Sequence, residues 1–295
     1  MIRTNFRADL LAHIDKQFED LGYHPKAAGE VRETAAPYLM LLLQALRRLP
    51  AARPRRVVLA PEFTVPVTHH GGFQALARAI ESGMTLRPWL STRIERLRTR
   101  DALLDDWGIH HFHLGAVRHK ERKGFVARTD EVAFAMVRPD AVYFLVATSH
   151  NRETAPLVWT QTQLVDMLHR HWPDLMETPT LRAGGSALTA EKHAELRRCR
   201  VNAGVTVSDG TVYYPPGGGV MSNGDGGIDF LYQMQLLRQV EYLETAIQQR
   251  EVSIRAMLGL REAEELELKA RFQIDFPEGF AVDIHDPVRK MSVRL

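Results

Sequence analysis

Between residues 108 and 150 the chain reads as three consecutive strand-like segments, "GIHHFHLGAV", "GFVARTDEVAFAMVRP" and "DAVYFLVATSH". Each is rich in β-branched and aromatic residues and ends in polar or glycine-containing turns. "VRHKERKG" has the composition of a hairpin tip between the first two. Strands joined this closely pair antiparallel, because a parallel return needs a crossover of a dozen or more residues. Helical patterns flank them on both sides. The expected fold is therefore α+β: a helical N-terminal part, a small antiparallel sheet core flanked by helices, and a C-terminal hairpin with a long helix.

Upstream, Phe6, Leu10, Leu11, Ile14, Phe18 and Leu21 recur at helical spacing, with Gly22 as a stop. Residues 27–49 read as a second helix ending at "RRLPAARPRR". "RVVLAPEFTVPV" has strand composition, but Pro61 and Pro66 confine it to a sheet edge or an irregular segment. "GGFQALARAIESG" is a short helix capped by Gly83, and "TRIERLRTRDALLDDW" a further one capped by Ser91 or Thr92.

Downstream, "TQTQLVDMLHRHWPDLM" and "AEKHAELRRCR" read as helices, and "VNAGVTVSDGTVYYPP" as a hairpin turning at Asp209-Gly210. "GGGVMSNGDGG" (residues 217–227) lacks the GK[ST] ending of a phosphate-binding loop and is read as a flexible connector. Residues 228–271 are helical in composition, as one helix or two broken near Gly259. Their apolar positions predict a homodimer through that helix, since an isolated helix of such length needs packing. Three consecutive regions follow: a mainly helical one over 1–85, an α+β catalytic core over 86–180, and a region of hairpin, Gly-rich loop and long assembly helix over 181–295.

Composition narrows the class. With 45% apolar and 25% charged residues and a formal charge of +2, the chain is an ordinary globular protein, and any nucleic-acid surface must come from local clustering. The single cysteine, Cys199, excludes an internal disulfide and a multi-cysteine zinc site and fits a reducing cytoplasm. The N-terminus lacks the apolar run of a signal peptide, and "APYLMLLLQAL" is too short to span a bilayer. A cytoplasmic protein outside the membrane is expected.

Within the sheet, "DDWGIHHFHLG" (105–115) concentrates titratable side chains as no other stretch does. Side chains alternate along a strand, so His111 and His113 share one face about 7 Å apart. His110 joins Phe112 and Leu114 on the other and is read as packed. His150 ends the third strand and reaches the pair if the strands form one meander. His111, His113 and His150 are thus the candidate catalytic residues, with Asp106, Trp107 and Ser149 supporting them. His169 and His171 are read as structural.

Basic residues frame this cluster: Arg93, Arg96, Arg98 and Arg100 before it, and Arg118, Lys120, Arg122, Lys123, Arg128 and Arg152 after it. Arg118, Lys120, Arg122, Lys123 and Arg152 are the candidate substrate-binding residues, suited to a phosphodiester.

The run from "ALARAIESGMTLRPWLSTRI" through "DALLDDWGIHHFHLG", "VYFLVATSHN" and "LVDMLHRHWPDL", about residues 75–176, resembles a family of poorly characterised bacterial proteins from mobile or accessory genomic regions, with "DWGIHHFHL" as its most specific string. The layout is also similar to the barnase–RelE group of ribonuclease toxins. That resemblance implies metal-independent RNA cleavage by histidine acid and base, toxin or phage-defence use, and an inhibitor or antitoxin partner. Such toxins are about a third of this length, which leaves the flanks unexplained.

Two other readings stand beside it. His111, His113 and His150 with Asp105 or Asp106 could ligate zinc or manganese in a metal-dependent hydrolase, although no HExxH or CxxC motif is present, and no metal or other cofactor is expected. Alternatively, the chain is a non-enzymatic adaptor or assembly subunit with packed histidines.

Overall fold

A computed structural model describes residues 2–25, 35–151, 162–176, 180–182, 187–261 and 263–293. The chain forms two compact units: residues 48–228 make one, and residues 1–47 with 229–295 make the other. This differs from three consecutive regions. The two ends of the sequence build one sheet between them, so the chain leaves that unit after Arg47 and returns at Asp229.

In the terminal unit, strand β1 (Arg3–Thr4) runs into helix α1 (Phe6–Asp20), and helix α2 (Ala35–Arg48) follows. Helix α1 forms where the apolar spacing places it. It buries Phe6, Leu10, Ile14 and Phe18, its Asn5 cap accepts from the Ala8 amide, and Gly22 (φ +73) ends the turn beyond it.

The larger unit opens with strand β2 (Arg56–Leu59) and helix α3 (His70–Glu81). The stretch expected as one helix over 92–107 is instead a single turn at Thr92–Glu95, an irregular segment, and helix α4 (Ala102–Trp107). The physical reason lies in its carbonyls: those of Arg96, Leu97 and Thr99 accept from the Arg48 guanidinium and need no helical partner. Asp101 then caps α4 by accepting from the Leu104 amide, and Gly108 (φ +67) turns the chain into strand β3 (Ile109–His113). Strands β4 (Glu131–Val137) and β5 (Ala141–Ser149) complete the expected meander.

The sheet order is β2-β5-β4-β3, with β2 a parallel edge strand and the other pairings antiparallel. Both faces are covered. Ile109, Val132, Phe134 and Leu145 pack with Leu164 and Leu168 of helix α5 (Thr162–His171). Phe112, Leu114, Ala133 and Phe144 pack with Leu76 and Ile80 of α3.

Beyond α5 come strand β6 (Thr180–Arg182), helix α6 (Ala190–Arg198), and the short strands β7 (Val205–Thr206) and β8 (Thr211–Tyr213). They form a second sheet in the order β6-β8-β7, with the expected turn at Gly210 (φ +86). Residues 217–227, expected as a flexible connector, carry contacts of their own. The Met221 amide donates to the Asp225 carbonyl at 2.7 Å, the Ile228 amide to the Gly217 carbonyl at 2.9 Å, and Arg200 to the Ser222 carbonyl. Glycine is required at 217 because a Cβ there would meet the Asp105 carbonyl oxygen at 2.0 Å.

Helix α7 (Gly227–Gln249) and helix α8 (Glu251–Met257) occupy the first part of the expected long helix. Gly259 (φ +66) closes the helical stretch. The remainder is a correction: "ELKARFQID" is strand β9 (Glu267–Asp275), followed by β10 (Gly279–Asp286) and β11 (Met291–Val293) in a sheet ordered β1-β9-β10-β11. Leu268, Ala270 and Phe272 are buried while Glu267, Arg271 and Gln273 are exposed, a period of two that marks a strand with one wet face. The apolar residues Tyr232, Leu236, Val240, Leu243 and Ile247 of α7 are buried within the chain itself. The packing argument for a homodimer through 228–271 is thereby met inside one protomer.

Candidate functional site

Strand alternation puts His111 and His113 on the face that carries Ile109, Val132 and Phe134. Simple alternation would put His150 on the opposite face, because Val142 and Phe144 pack on the side of Phe112 and Leu114. A β-bulge corrects the parity. Phe134 pairs with Val146 and Ala135 with Phe144, which leaves Leu145 as the extra residue. Residues 146, 148 and 150 therefore share the face of His111 and His113. The three imidazoles converge, with ring centroids 6.3 Å apart for His111–His113, 6.2 Å for His111–His150 and 5.3 Å for His113–His150.

The three rings differ in their Nδ1 partners. Nδ1 of His111 lies 3.3 Å from the Asp101 carboxylate. Burial alone would raise the Asp101 carboxyl, but the contacts with His111 and the Leu104 amide outweigh it and hold the group below its ordinary range. An ionised Asp101 makes Nδ1 of His111 the protonated nitrogen and supplies a counter-charge for a positive ring. Nδ1 of His150 donates to the neutral Asp130 carbonyl at 2.6 Å. Burial lowers the His150 pKa, assisted by the positive charges of His111 and Arg128 and opposed by that hydrogen bond.

His113 is the most buried of the three, at 1% exposure. Its Nδ1 accepts from the Thr129 amide at 3.3 Å, so Nε2 carries the proton, and that buried atom has no hydrogen-bond partner among the described residues. Burial, with help from His111, Arg128 and His150, pushes its pKa down to about 3. A pKa held that low keeps the ring neutral at physiological pH.

His111 and His150 open onto a cleft of about 400 Å³, a volume suited to a small ligand or one nucleotide of a longer one. Leu90 and Ile94 supply apolar wall, and Arg93, Arg100 and Arg128 supply positive charge. Arg100 also contacts Asp225 of the glycine-rich segment.

Of the expected substrate-binding residues, Arg118, Lys120, Arg122 and Lys123 are exposed on the hairpin tip and do not line the cleft. Arg152 lies outside the described residues. Among the supporting residues, Ser149 donates to the Asp130 carboxylate at 3.0 Å, beside His150. Asp106 and Trp107 line a different, smaller pocket, where Asp106 contacts Arg197 of α6. Asp105 also faces Arg197, at 3.8 Å.

Sequence reasoning missed Asp101. Its signal was a helix cap, an aspartate three residues before Leu104, and the cap position is what fixes its carboxylate beside β3. His169 and His171 face Tyr213 and Glu62, at 2.8 and 2.7 Å.

As a metal centre the cluster is a poor fit. A ligating imidazole offers a lone pair at one nitrogen and donates from the other. His113, accepting at Nδ1, offers no lone pair at Nε2. Among the described residues no group of three or more His, Cys, Asp or Glu is arranged to hold a metal ion, and no helix is long and apolar enough to cross a membrane. Comparison with protein-family models, curated proteins and solved structures finds no match for this chain.

Proposed function

We propose that the chain is a metal-independent endoribonuclease of toxin or phage-defence type, in which His150 is the general base and His111 the general acid. The observation that carries the reading is the unlike pairing of two facing imidazoles in one arginine-edged cleft: His111 on a carboxylate, His150 on a carbonyl. A base must be neutral before the step and an acid charged. The lowered pKa of His150 supports the first role, and the Asp101 counter-charge supports the second.

In this mechanism Nε2 of His150 takes the proton of a ribose 2′-hydroxyl. The 2′-oxygen forms a bond to phosphorus, the bond from phosphorus to the 5′-oxygen breaks, and Nε2–H of His111 protonates that leaving oxygen. The products are a 2′,3′-cyclic phosphate and a 5′-hydroxyl. Arg93 and Arg128 offset the charge that builds on the phosphorane. RNA is thus the proposed partner, in the cytoplasm, with an inhibitor or antitoxin protein and self-association as further parts of the same reading.

The test is cleavage of cellular RNA by wild type and by the His111→Ala and His150→Ala variants, in EDTA. Each variant is expected to lose about 10²–10⁴ in rate with little change in melting temperature. The acid limb of the wild-type pH profile is expected below 6.5, following the lowered His150 pKa. Equal cleavage by all three proteins, or none by wild type, overturns the proposal.

The ring separations of 5.3–6.3 Å favour a second reading, a zinc- or manganese-dependent hydrolase on the same three histidines. It requires the His113 ring to reverse its Nδ1 contact. Activity abolished by EDTA and restored by a divalent ion would select it.

A further inference from the structure

The hairpin tip between β3 and β4 carries more positive charge than the whole protein. Residues 117–124 hold Arg118, Lys120, Arg122 and Lys123 against Glu121 alone, a local charge of four minus one, or +3, whereas the full chain is +2. Arg122 faces Glu95 at 3.4 Å, and Arg118, Lys120 and Lys123 make no ion pair among the described residues. All four side chains are exposed.

The turn that presents them is ordered by its own contacts. Nδ1 of His119 accepts from the Glu121 and Arg122 amides, both at 3.1 Å, and the His119 amide donates to the Phe125 carbonyl at 2.8 Å. Phe125 is 3% exposed and anchors the returning arm in the core, while the Val126 amide donates to the Pro88 carbonyl at 2.9 Å. Such a turn presents its cations with less ordering cost than a free loop. Its arms continue directly into the site: the outgoing arm leaves His113, and the returning arm brings Arg128 to the cleft. Arg118 lies five positions beyond His113, at most about 17 Å of extended chain.

We infer that the 117–124 tip is a docking site for the phosphate backbone of single-stranded RNA, which holds a long substrate at a distance from the reacting phosphate and makes the protein select for chain length. This rests on the ribonuclease reading above, but binding tests it separately from cleavage. Exposed lysines and arginines on a fixed turn recognise phosphate charge rather than base identity. No base preference is therefore expected from the tip.

The experiment measures binding of a labelled single-stranded RNA by fluorescence anisotropy, over a series of salt concentrations, to the full-length chain carrying His150→Ala so that the probe stays intact. The triple variant Arg118→Glu, Lys120→Glu, Lys123→Glu is compared with a control in which Arg271, exposed on β9, is changed to Glu. The triple variant is expected to lose at least about 30-fold in affinity, with the slope of log affinity against log salt shallower by about 2, as three lost phosphate contacts imply. The control is expected to bind as the parent does.

Unchanged affinity and slope in the triple variant overturn the inference, as does binding of anionic phospholipid vesicles in place of RNA. If the tip binds RNA as expected while the wild type cleaves none, the docking inference stands and the ribonuclease reading fails.

Discussion

The two four-stranded sheets of this protein treat their polar residues differently. In the sheet β1-β9-β10-β11, alternate positions of β9 are wet: Glu267, Arg271 and Gln273 are exposed, so their charge and polarity meet water. In the sheet β2-β5-β4-β3, helix α3 covers one face and helix α5 the other, and residues 132–136 of β4 are all buried. A polar side chain on that sheet loses solvation on either face, which costs free energy unless a partner compensates. A polar residue on a one-sided sheet calls for no special account, whereas three convergent histidines on a two-sided sheet do. The contrast is what gives His111, His113 and His150 weight as a site.

The largest stability effect expected from this contrast is in the covered sheet. Phe112 is fully buried between β3 and α3, and Phe112→Ala is expected to destabilise by about 3–5 kcal/mol, through lost burial plus the cavity left behind. Chemical denaturation measures it. A loss below 1 kcal/mol would mean that the sheet is not closed on that face.

The next concerns His113. Its folded pKa of about 3 lies below the unfolded value of 6.5, so protons favour the unfolded chain between those two values. Its contribution is complete above pH 6.5 and is lost as the pH falls towards 3. At pH 5 the deficit is about 2 kcal/mol relative to neutral pH. Denaturation of wild type and His113→Gln at pH 7 and pH 5 checks this. The variant is expected to lack that part of the pH dependence, and an identical dependence in both proteins would show that His113 is not held neutral.

The smallest effect belongs to the wet face. Arg271→Ala is expected to change stability by less than about 0.5 kcal/mol, since its side chain stays in solvent. A loss above 2 kcal/mol would show that the face is covered in solution, for example by a second copy of the chain.

Elements with strong local patterns were legible in the sequence. The spacing of Phe6, Leu10, Ile14 and Phe18 forms α1, the meander of β3, β4 and β5 follows its three apolar segments, and Gly210 turns the β7–β8 hairpin. The strand β9 was not legible: its glutamate, leucine, lysine and alanine residues suit a helix by intrinsic preference, and pairing with β1 and β10 overrides that preference. The arginine-rich segment at 96–100 failed as a helix for a similar reason, since Arg48 takes its carbonyls from elsewhere in the chain.

For the site, strand alternation by itself determined that His111 and His113 share a face, because side-chain direction in a strand depends only on local backbone geometry. The sequence also determined the charge of the 117–124 tip. Only the tertiary structure decided the rest. The extra residue at Leu145 brings His150 onto the same face, the α4 cap sets Asp101 beside His111, and burial in the surrounding core, with the charges of His111, Arg128 and His150, holds His113 neutral. Each of these depends on which groups meet across a register or a turn, and residues far apart in the chain choose those partners only once the sheet has closed.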